Sequence, residues 1–282
     1  MVLATVLAVG SAAIHASWNL LIKTGRDRTL SGWGQFSAAA VLAGLALCVV
    51  GFPGRAAVPY LVATATIHIV YVECLVAAYH HGDFSIAYPI ARGSGAVLAA
   101  LAAVVLLGDS MSSLAWASIA VAAGGLISLR WGADLTDASD SLAMVFALGT
   151  GVMIAAYSVV DAAGARAVDS GVSYGLASVG AAGMAVTLAN LARPSRRRRA
   201  GELLVDWRRH LAGGAGTLAA YTMVLVAVRR APVGYVTMLR ESSVVLGALI
   251  GWLVLAEPMG SRRVVSSAVV LAGLVALVVV GA

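Results

Sequence analysis

Apolar stretches of membrane-spanning length recur from one end of this 282-residue chain to the other. Each holds about 20 residues, the length that a helix needs to cross the hydrocarbon core of a bilayer. Because hydrophobic residues make up 61% of the chain and charged residues only 11%, an ordinary soluble domain is excluded. The sequence therefore predicts an all-α membrane protein. Its ten predicted spans are 2–22, 32–52, 58–79, 85–107, 113–130, 141–161, 172–192, 210–228, 233–256 and 264–281.

An internal repeat relates two of these apolar regions. Residues 85–126 and 233–274 are two copies of one passage, separated by a constant offset of 148. Each copy carries an arginine at the same depth of its span, Arg92 in the first and Arg240 in the second. A charge inside an apolar span is costly and usually functional, so the pattern points to a transporter.

The repeat extends to the whole chain. Span 1 matches span 6 at an offset of 139, so each half of the chain holds five spans. Because five is odd, the second half must enter the membrane from the opposite side. We therefore expect ten transmembrane helices as two inverted five-helix repeats, residues 1–130 and 141–282, in one integral membrane domain.

The distribution of basic residues predicts the orientation. Thirteen Lys and Arg residues lie in the connections that follow odd-numbered spans, and four lie on the other side. By the positive-inside rule the arginine-rich side is cytoplasmic and both termini lie outside a cell (inner or cytoplasmic) membrane. The densest cluster, Arg196–Arg199, suits anionic lipid headgroups of the bilayer, so the net charge of +6 does not indicate a nucleic-acid partner.

Four passages carry a family resemblance: HASWNLLIKTGRDR at 15–28, GDFSIAYPIARGSGAVLAALAAVVLLGD at 82–109, AAYSVVDAAGARA at 155–167 and LRESSVVLGALIGWLVLAEPMG at 239–260. Together, in this order and within a duplicated frame, they resemble the EamA type of the drug/metabolite transporter superfamily over essentially the whole chain. The resemblance implies ten helices and a central cavity walled by spans 1–4 and 6–9. It also implies secondary transport of small organic solutes, often efflux.

The two arginines are the predicted centre of the substrate site. Each is the eighth residue of its span, roughly 10 Å in from where the helix begins. A guanidinium group binds a carboxylate or phosphonate through paired hydrogen bonds, and Tyr88 shares the helix face of Arg92. The alternative is structural, because Glu73 or Glu241 could neutralise an arginine and hold helices together.

Two carboxyl groups within the spans receive different predictions. Glu73 in span 3 is the proton-coupling candidate, because a desolvated carboxyl can load and release a proton. Its repeat counterpart is Tyr221, so this acid is not duplicated; we include Tyr221 in the predicted substrate site. Glu241 follows Arg240 directly and points to another side of its helix, which favours a role as structural charge partner.

Spans 1 and 6 place aromatic and hydrogen-bonding residues on matching faces. These are Trp18 and Asn19 in span 1, and Tyr157 and Ser158 in span 6. The combination suits a small polar solute with an apolar part. The alternative is that Trp18 and Tyr157 anchor the helices at the membrane interface. We expect neither a metal site nor a cofactor.

The predicted function is secondary active transport, as an exporter or exchanger that works by alternating access. The predicted substrate is a small anionic or zwitterionic organic metabolite, such as an amino acid or organophosphonate. Protons are the candidate coupling ion. The protein is expected to act as a monomer or a homodimer. The alternative is an integral-membrane enzyme or a flippase acting on a lipid-linked substrate. An enzyme is disfavoured because the chain lacks HExxH and GxSxG motifs, and a cationic substrate would meet two repelling arginines.

Overall fold

The computed structural model describes residues 1–23, 27–81, 84–128, 138–246 and 261–281. In these residues all regular secondary structure is helical, as the sequence predicted. Three short helical turns, Arg55–Ala57, Pro194–Arg197 and Ala200–Leu204, lie between the main helices. The main helices are α1 (Val2–Lys23), α2 (Arg28–Val50), α3 (Val58–His81), α4 (Phe84–Leu107), α5 (Ser113–Ser128), α6 (Ala138–Arg166), α7 (Gly171–Leu191), α8 (Trp207–Ala227), α9 (Val233–Arg240) and α10 (Ser261–Val280).

Six helical stretches in the described part of the chain are long and apolar enough to cross a membrane. They are Thr29–Val50, Arg55–Ala78, Ile90–Leu107, Ser141–Arg166, Gly171–Leu191 and Trp207–Ala227. Shorter apolar helical stretches cover Val2–Ser17, Ser113–Ser128 and Val264–Val280. The all-helical membrane architecture is thus confirmed, whereas the number of ten spans and the inversion of the second half stay predictions.

The outer surface of the bundle is apolar. Val49, Val105 and Val279 are each at least 80% exposed, and many other large aliphatic side chains face outward. A water-soluble protein rarely exposes so continuous an apolar surface. In a bilayer the same side chains meet acyl chains, so they stabilise the protein in place and leave the interior free for polar groups.

Helices of one half pack mainly on helices of the other half. Helix α1 packs on α8, and correspondingly α6 packs on α3. Helix α2 packs on α8 as α7 packs on α3, while α2 pairs with α7 and α5 pairs with α10. Moving each helix by five positions turns one pair into another. A two-fold relation between the two halves would produce this pattern.

Glycines allow the closest of these crossings. A Cβ added to Gly273 on α10 would lie 2.6 Å from the backbone nitrogen of Ala122 on α5. A Cβ added to Gly125 on α5 would lie 2.8 Å from the nitrogen of Val270. The backbones of α5 and α10 are therefore in direct contact, the small-residue packing typical of membrane helices.

The predicted span 9 is interrupted near its centre. Helix α9 ends at Arg240, Glu241 forms a turn, and helical structure resumes at 242–246. The Glu241 amide donates to the Met238 carbonyl at 2.9 Å, and the Val244 amide donates to the Glu241 carbonyl at 2.9 Å. Both hydrogen bonds have the tighter i to i+3 pattern. The sequence predicts one span over 233–256, and the structure divides it at Glu241; residues 247–256 lie outside the described part.

One ion pair fastens the end of the bundle at which α4 and α6 finish. Arg166, the last residue of α6, donates to Asp109 at 2.6 Å. The Asp109 carboxylate also accepts the backbone N–H of Val233 at 2.7 Å, which satisfies an amide at the start of α9. Three segments that are distant in sequence are thereby held together.

Candidate functional site

A pocket lies at the centre of the bundle. Helices α1–α4 and α6–α9 all contribute residues to its lining, as the resemblance implied. None of the described residues that line it comes from α5 or α10, which pair with each other at the periphery. The pocket encloses about 580 Å³ of space, counted together with the open solvent at its mouth.

Arg92 lines the pocket and is held by an acid from the other half of the chain. Its Nη2 donates to Oε1 of Glu241 at 2.7 Å, and its Nε donates to Oε2 at 3.3 Å. Both side chains are buried, with 7% and 3% exposed. The pair is therefore a buried, two-point salt bridge between α4 and the turn after α9. This geometry matches the predicted structural role of Glu241.

Arg240 lines the same pocket without such a partner. Its residue is only 5% exposed, and within the described residues it forms no ion pair. Its buried Nε has no hydrogen-bond partner. Its guanidinium carbon lies 5.6 Å from the ring centroid of Tyr221, which provides a weak cation–π contact. A buried cation with so little compensation is a candidate binding group for an anion.

Aromatic rings form another part of the pocket lining. The Tyr157 ring stacks on the imidazole of His68, with centroids 4.6 Å apart. The rings of Tyr71 and Tyr221 meet the Tyr157 ring edge-on, with centroid distances of 5.7 and 5.8 Å. The Phe36 ring meets the His68 ring edge-on, with a centroid distance of 6.4 Å. These contacts hold the rings in fixed orientations. The pocket thus offers a cation together with a rigid apolar wall.

A second polar layer lies directly behind this wall. Asp161 on α6 is completely buried, and its carboxylate accepts four hydrogen bonds from hydroxyl groups. Tyr221 donates at 2.7 Å, Thr64 at 3.0 Å, Ser178 at 3.0 Å and Tyr174 at 3.1 Å. We call these five residues the Asp161 cluster. It joins α3, α6, α7 and α8, and two of its members, Ser178 and Tyr221, also line the pocket.

His68 connects the pocket to this cluster by a second route. Its Nδ1 lies 2.8 Å from the carbonyl oxygen of Thr64 and 3.2 Å from the Thr64 hydroxyl. A carbonyl only accepts, and the single hydroxyl hydrogen of Thr64 is donated to Asp161. The hydrogen of the imidazole must therefore reside on Nδ1 when the ring is neutral. His68 also lines the pocket, so a chain of hydrogen bonds leads from there to Asp161.

The structure brings four of the predicted substrate residues together. Arg92, Arg240, Tyr157 and Tyr221 all line the one pocket. Ser158 is buried but is not part of the lining. For the other three predicted residues the side chains lie outside the described part of the structure; these are Trp18, Asn19 and Tyr88.

Glu73 does not have the environment that the sequence predicted. Its side chain is 36% exposed, and it does not line the pocket. It accepts hydrogen bonds from Arg193 at 2.6 Å and from Arg196 at 2.9 Å, both from the segment after α7. The expectation of a desolvated carboxyl is therefore wrong, because two arginines and solvent surround it. Glu73 fastens the arginine-rich segment to α3.

The same segment is held at a second point, outside the membrane-spanning helices. Arg199 donates two hydrogen bonds of 3.0 Å to Glu202 and one of 2.8 Å to Asp27. The hydrogen bonds from Arg199 lower the pKa of Glu202 below its usual value. Partial burial raises the pKa of Asp27, but hydrogen bonds from the Leu30 amide, Arg199 and the Thr29 amide outweigh it and lower the pKa overall.

Asp161 is the residue whose importance the sequence interpretation missed. We ended span 6 at residue 161, which placed this acid at the edge of the membrane. Helix α6 continues to Arg166, so Asp161 lies inside the helix and inside the bundle. The available signal was an acid four residues after Tyr157, on the same helix face. In the described part of the chain no cluster of His, Cys, Asp and Glu could hold a metal ion.

Comparisons with known proteins agree with this architecture. Residues 141–279 match the model of the EamA-like transporter family. A solved structure described only as "Crystal structure of protein" is similar in fold, with a TM-score of 0.78. Its sequence is 17% identical, and the similarity covers 99% of each chain. No curated protein matched the chain.

Proposed function

We propose that this chain, whose residues 141–279 belong to the EamA-like transporter family of the drug/metabolite transporter superfamily, carries a small organic anion or zwitterion. The protein is a multi-pass membrane transporter of small molecules. Its proposed mode is secondary active transport, as an exporter or exchanger in the cell membrane. In this proposal Arg240 binds the carboxylate or phosphonate group of the substrate, such as an amino acid or organophosphonate.

The state of Arg240 is the observation that carries the proposal. A buried cation without a counter-ion is unstable unless a ligand of opposite charge binds to it. Arg92 faces the same pocket, yet two hydrogen bonds to Glu241 already satisfy much of its guanidinium. The rings of Tyr157 and Phe36 provide apolar surface for the organic part of the substrate. Arg240 therefore supports an anion as the transported group.

Alternating access would use the two halves, residues 1–130 and 141–282, as inverted five-helix repeats. The exchange of packing partners between the halves supports this division. The pocket is lined by helices of both halves, so tilting one half against the other would open it first to one side and then to the other. The Asp109–Arg166 and Glu73–Arg193 ion pairs are two of the contacts that would have to change.

A thermal-shift experiment on the purified full-length protein tests the anion site. The probes are succinate, alanine, methylphosphonate and the lipophilic cation ethidium. We expect at least one of the first three to raise the Tm, because a ligand that binds the native state stabilises it by mass action. Ethidium should have no effect, since Arg240 repels it.

Two arginine variants make the test specific. Arg240→Gln should abolish the Tm shift. Arg230→Gln, the same exchange at an exposed position in the loop before α9, should retain it. A Tm shift by ethidium alone, or an undiminished anion effect in Arg240→Gln, would refute the proposed site.

A further inference from the structure

The Asp161 cluster contains a buried carboxyl group. The proposed binding of an anion to Arg240 does not use this group. Asp161 sits one hydrogen bond behind the pocket at Ser178 and at Tyr221, and two behind it along the path from His68 through the Thr64 hydroxyl. Tyr221 touches both charges, because its hydroxyl donates to Asp161 while its ring lies beneath Arg240. The cation and the carboxylate are therefore separated by a single side chain.

Charge balance links the two sites. Among the described residues around the pocket, Arg92 is neutralised by Glu241, and ionised Asp161 lies on the other side of the Tyr221 side chain from Arg240. An organic anion bound to Arg240 would add a second negative charge to this region. Asp161 would then be a surplus negative charge in a medium of low dielectric constant, where such a charge is strongly disfavoured. A proton on the carboxylate removes the surplus.

We infer that Asp161 is the proton-binding carboxylate of this pocket and takes up a proton when an organic anion occupies Arg240. The coupling rests on the proposed function, because it is the anion proposed for Arg240 that drives proton uptake. The chemical step is simple: one carboxylate oxygen gains a proton from pocket water and later returns it. No bond of the substrate forms or breaks.

The hydroxyl donors provide the path for that proton. Ser178 lines the pocket and donates to Asp161. The Ser178 oxygen can accept a proton from the pocket side while the Ser178 hydroxyl hydrogen passes to the Asp161 carboxylate. Other titratable or charged groups surround this region on each neighbouring helix. They are His15 on α1, Tyr60, His68 and Tyr71 on α3, Arg92 on α4, Tyr157 on α6 itself, Tyr174 on α7, Tyr221 on α8 and Arg240 on α9.

Infrared difference spectroscopy tests proton binding without any substrate. The purified protein is titrated over a pH series, and the C=O stretch of a protonated, water-screened carboxyl is recorded. We expect this band in the wild type and its loss in Asp161→Asn. Glu73→Gln is the matched control, the same amide exchange at an exposed carboxyl, and it should keep the band.

A second variant keeps the test decisive if Asp161→Asn fails to fold. Asp161→Glu retains a carboxyl, and its band should persist at a shifted frequency. A band that is absent in the wild type, unchanged in Asp161→Asn, or lost only in Glu73→Gln would overturn the inference.

Coupling is tested by measuring proton uptake in weakly buffered solution with a pH dye when succinate or methylphosphonate is added. We expect about one proton per bound anion in the wild type and in Glu73→Gln, and none in Asp161→Asn, as a single carboxyl titrates once. Anion binding without proton uptake, or with a requirement for Na⁺ in its place, would overturn the inference. If neither probe nor alanine binds but the infrared band is present, the proposed function fails while Asp161 stands as a proton site.

Discussion

The surroundings of Arg92 and Arg240 differ although the two arginines hold equivalent places in the repeat. Both are buried and both line the same pocket. Arg92 is fixed by two hydrogen bonds to Glu241, whereas Arg240 rests on the ring of Tyr221 and has no ion pair among the described residues. The two arginines therefore keep equivalent positions in the repeat, but the residues with which they interact differ.

The residues that create this difference are not duplicated in the repeat. At the offset of 148, Glu241 corresponds to Gly93 and Tyr221 corresponds to Glu73. At the offset of 139, Asp161 corresponds to Ile22. The asymmetry of the pocket thus comes from single substitutions in a symmetric frame. One arginine joins two helical segments through Glu241, and the other is the cation to which we propose that a ligand binds.

The largest effect should follow from removing Arg92. Arg92→Met leaves Glu241 buried without its cation, and we expect the free energy of unfolding to fall by about 3–5 kcal/mol. The double variant Arg92→Met/Glu241→Met should recover most of this loss, because no unpaired charge remains. Thermal or denaturant unfolding of the purified protein measures both. Equal stability of the wild type and the single variant would show that the salt bridge has no structural role.

The same exchange at Arg240 should have the opposite pattern. Arg240→Met removes a cation that has no ion pair within the described part of the chain, so stability should change by less than about 1 kcal/mol. Anion affinity should fall at least about 30-fold, which corresponds to about 2 kcal/mol for a charged hydrogen bond. Calorimetric titration with the best anionic probe gives the affinity. A large loss of stability with unchanged affinity would make the two arginines functionally alike.

Tyr221→Phe should separate the two contacts of that tyrosine. The ring remains beneath Arg240, so anion affinity without a pH gradient should be nearly unchanged. The lost hydroxyl removes one donor from Asp161, which should lower stability by about 1 kcal/mol. It should also alter the pH dependence of transport in proteoliposomes. An unaltered pH profile would indicate that this hydrogen bond is not part of proton binding.

The smallest effect concerns the arginine-rich segment outside the membrane. Hydrogen bonds lower the pKa values of Asp27 and Glu202, so their stabilising contribution is present above the usual carboxyl pKa of about 4 and is lost as pH falls through the lowered values. In Arg199→Gln the contribution should already be weak at neutral pH. Amide hydrogen exchange of residues 193–206, compared between the two proteins at each pH, should differ at pH 7 and converge in acid. No difference at pH 7 would contradict the expectation.

The sequence predicted the features that depend on periodicity and on the repeat. Apolar spans gave the helices, and the matched positions of Arg92 and Arg240 placed both cations in one pocket. The resemblance added the helices that wall it. These features follow from local composition and from a symmetry that is visible in the chain itself.

The sequence failed where a side chain takes its partner from a distant segment. Glu73 lies in an apolar span, but its arginines come from a loop about 120 residues later, whose path no local pattern reveals. The predicted span 6 ends at residue 161, whereas α6 continues to Arg166. The helix can include Arg166 because Asp109, from another loop, neutralises it. In both cases an ion pair between segments distant in sequence sets the boundary between an apolar span and its polar surroundings.

The interruption of span 9 at Glu241 has a consequence for any movement of residues 242–246 relative to α9. Glu241 is at once the joint between the two helical segments and the counter-ion of Arg92. If the chain pivots there, the carboxylate moves with it and away from the guanidinium on α4. Bending the span at Glu241 and removing a negative charge from beside Arg92 are then one event.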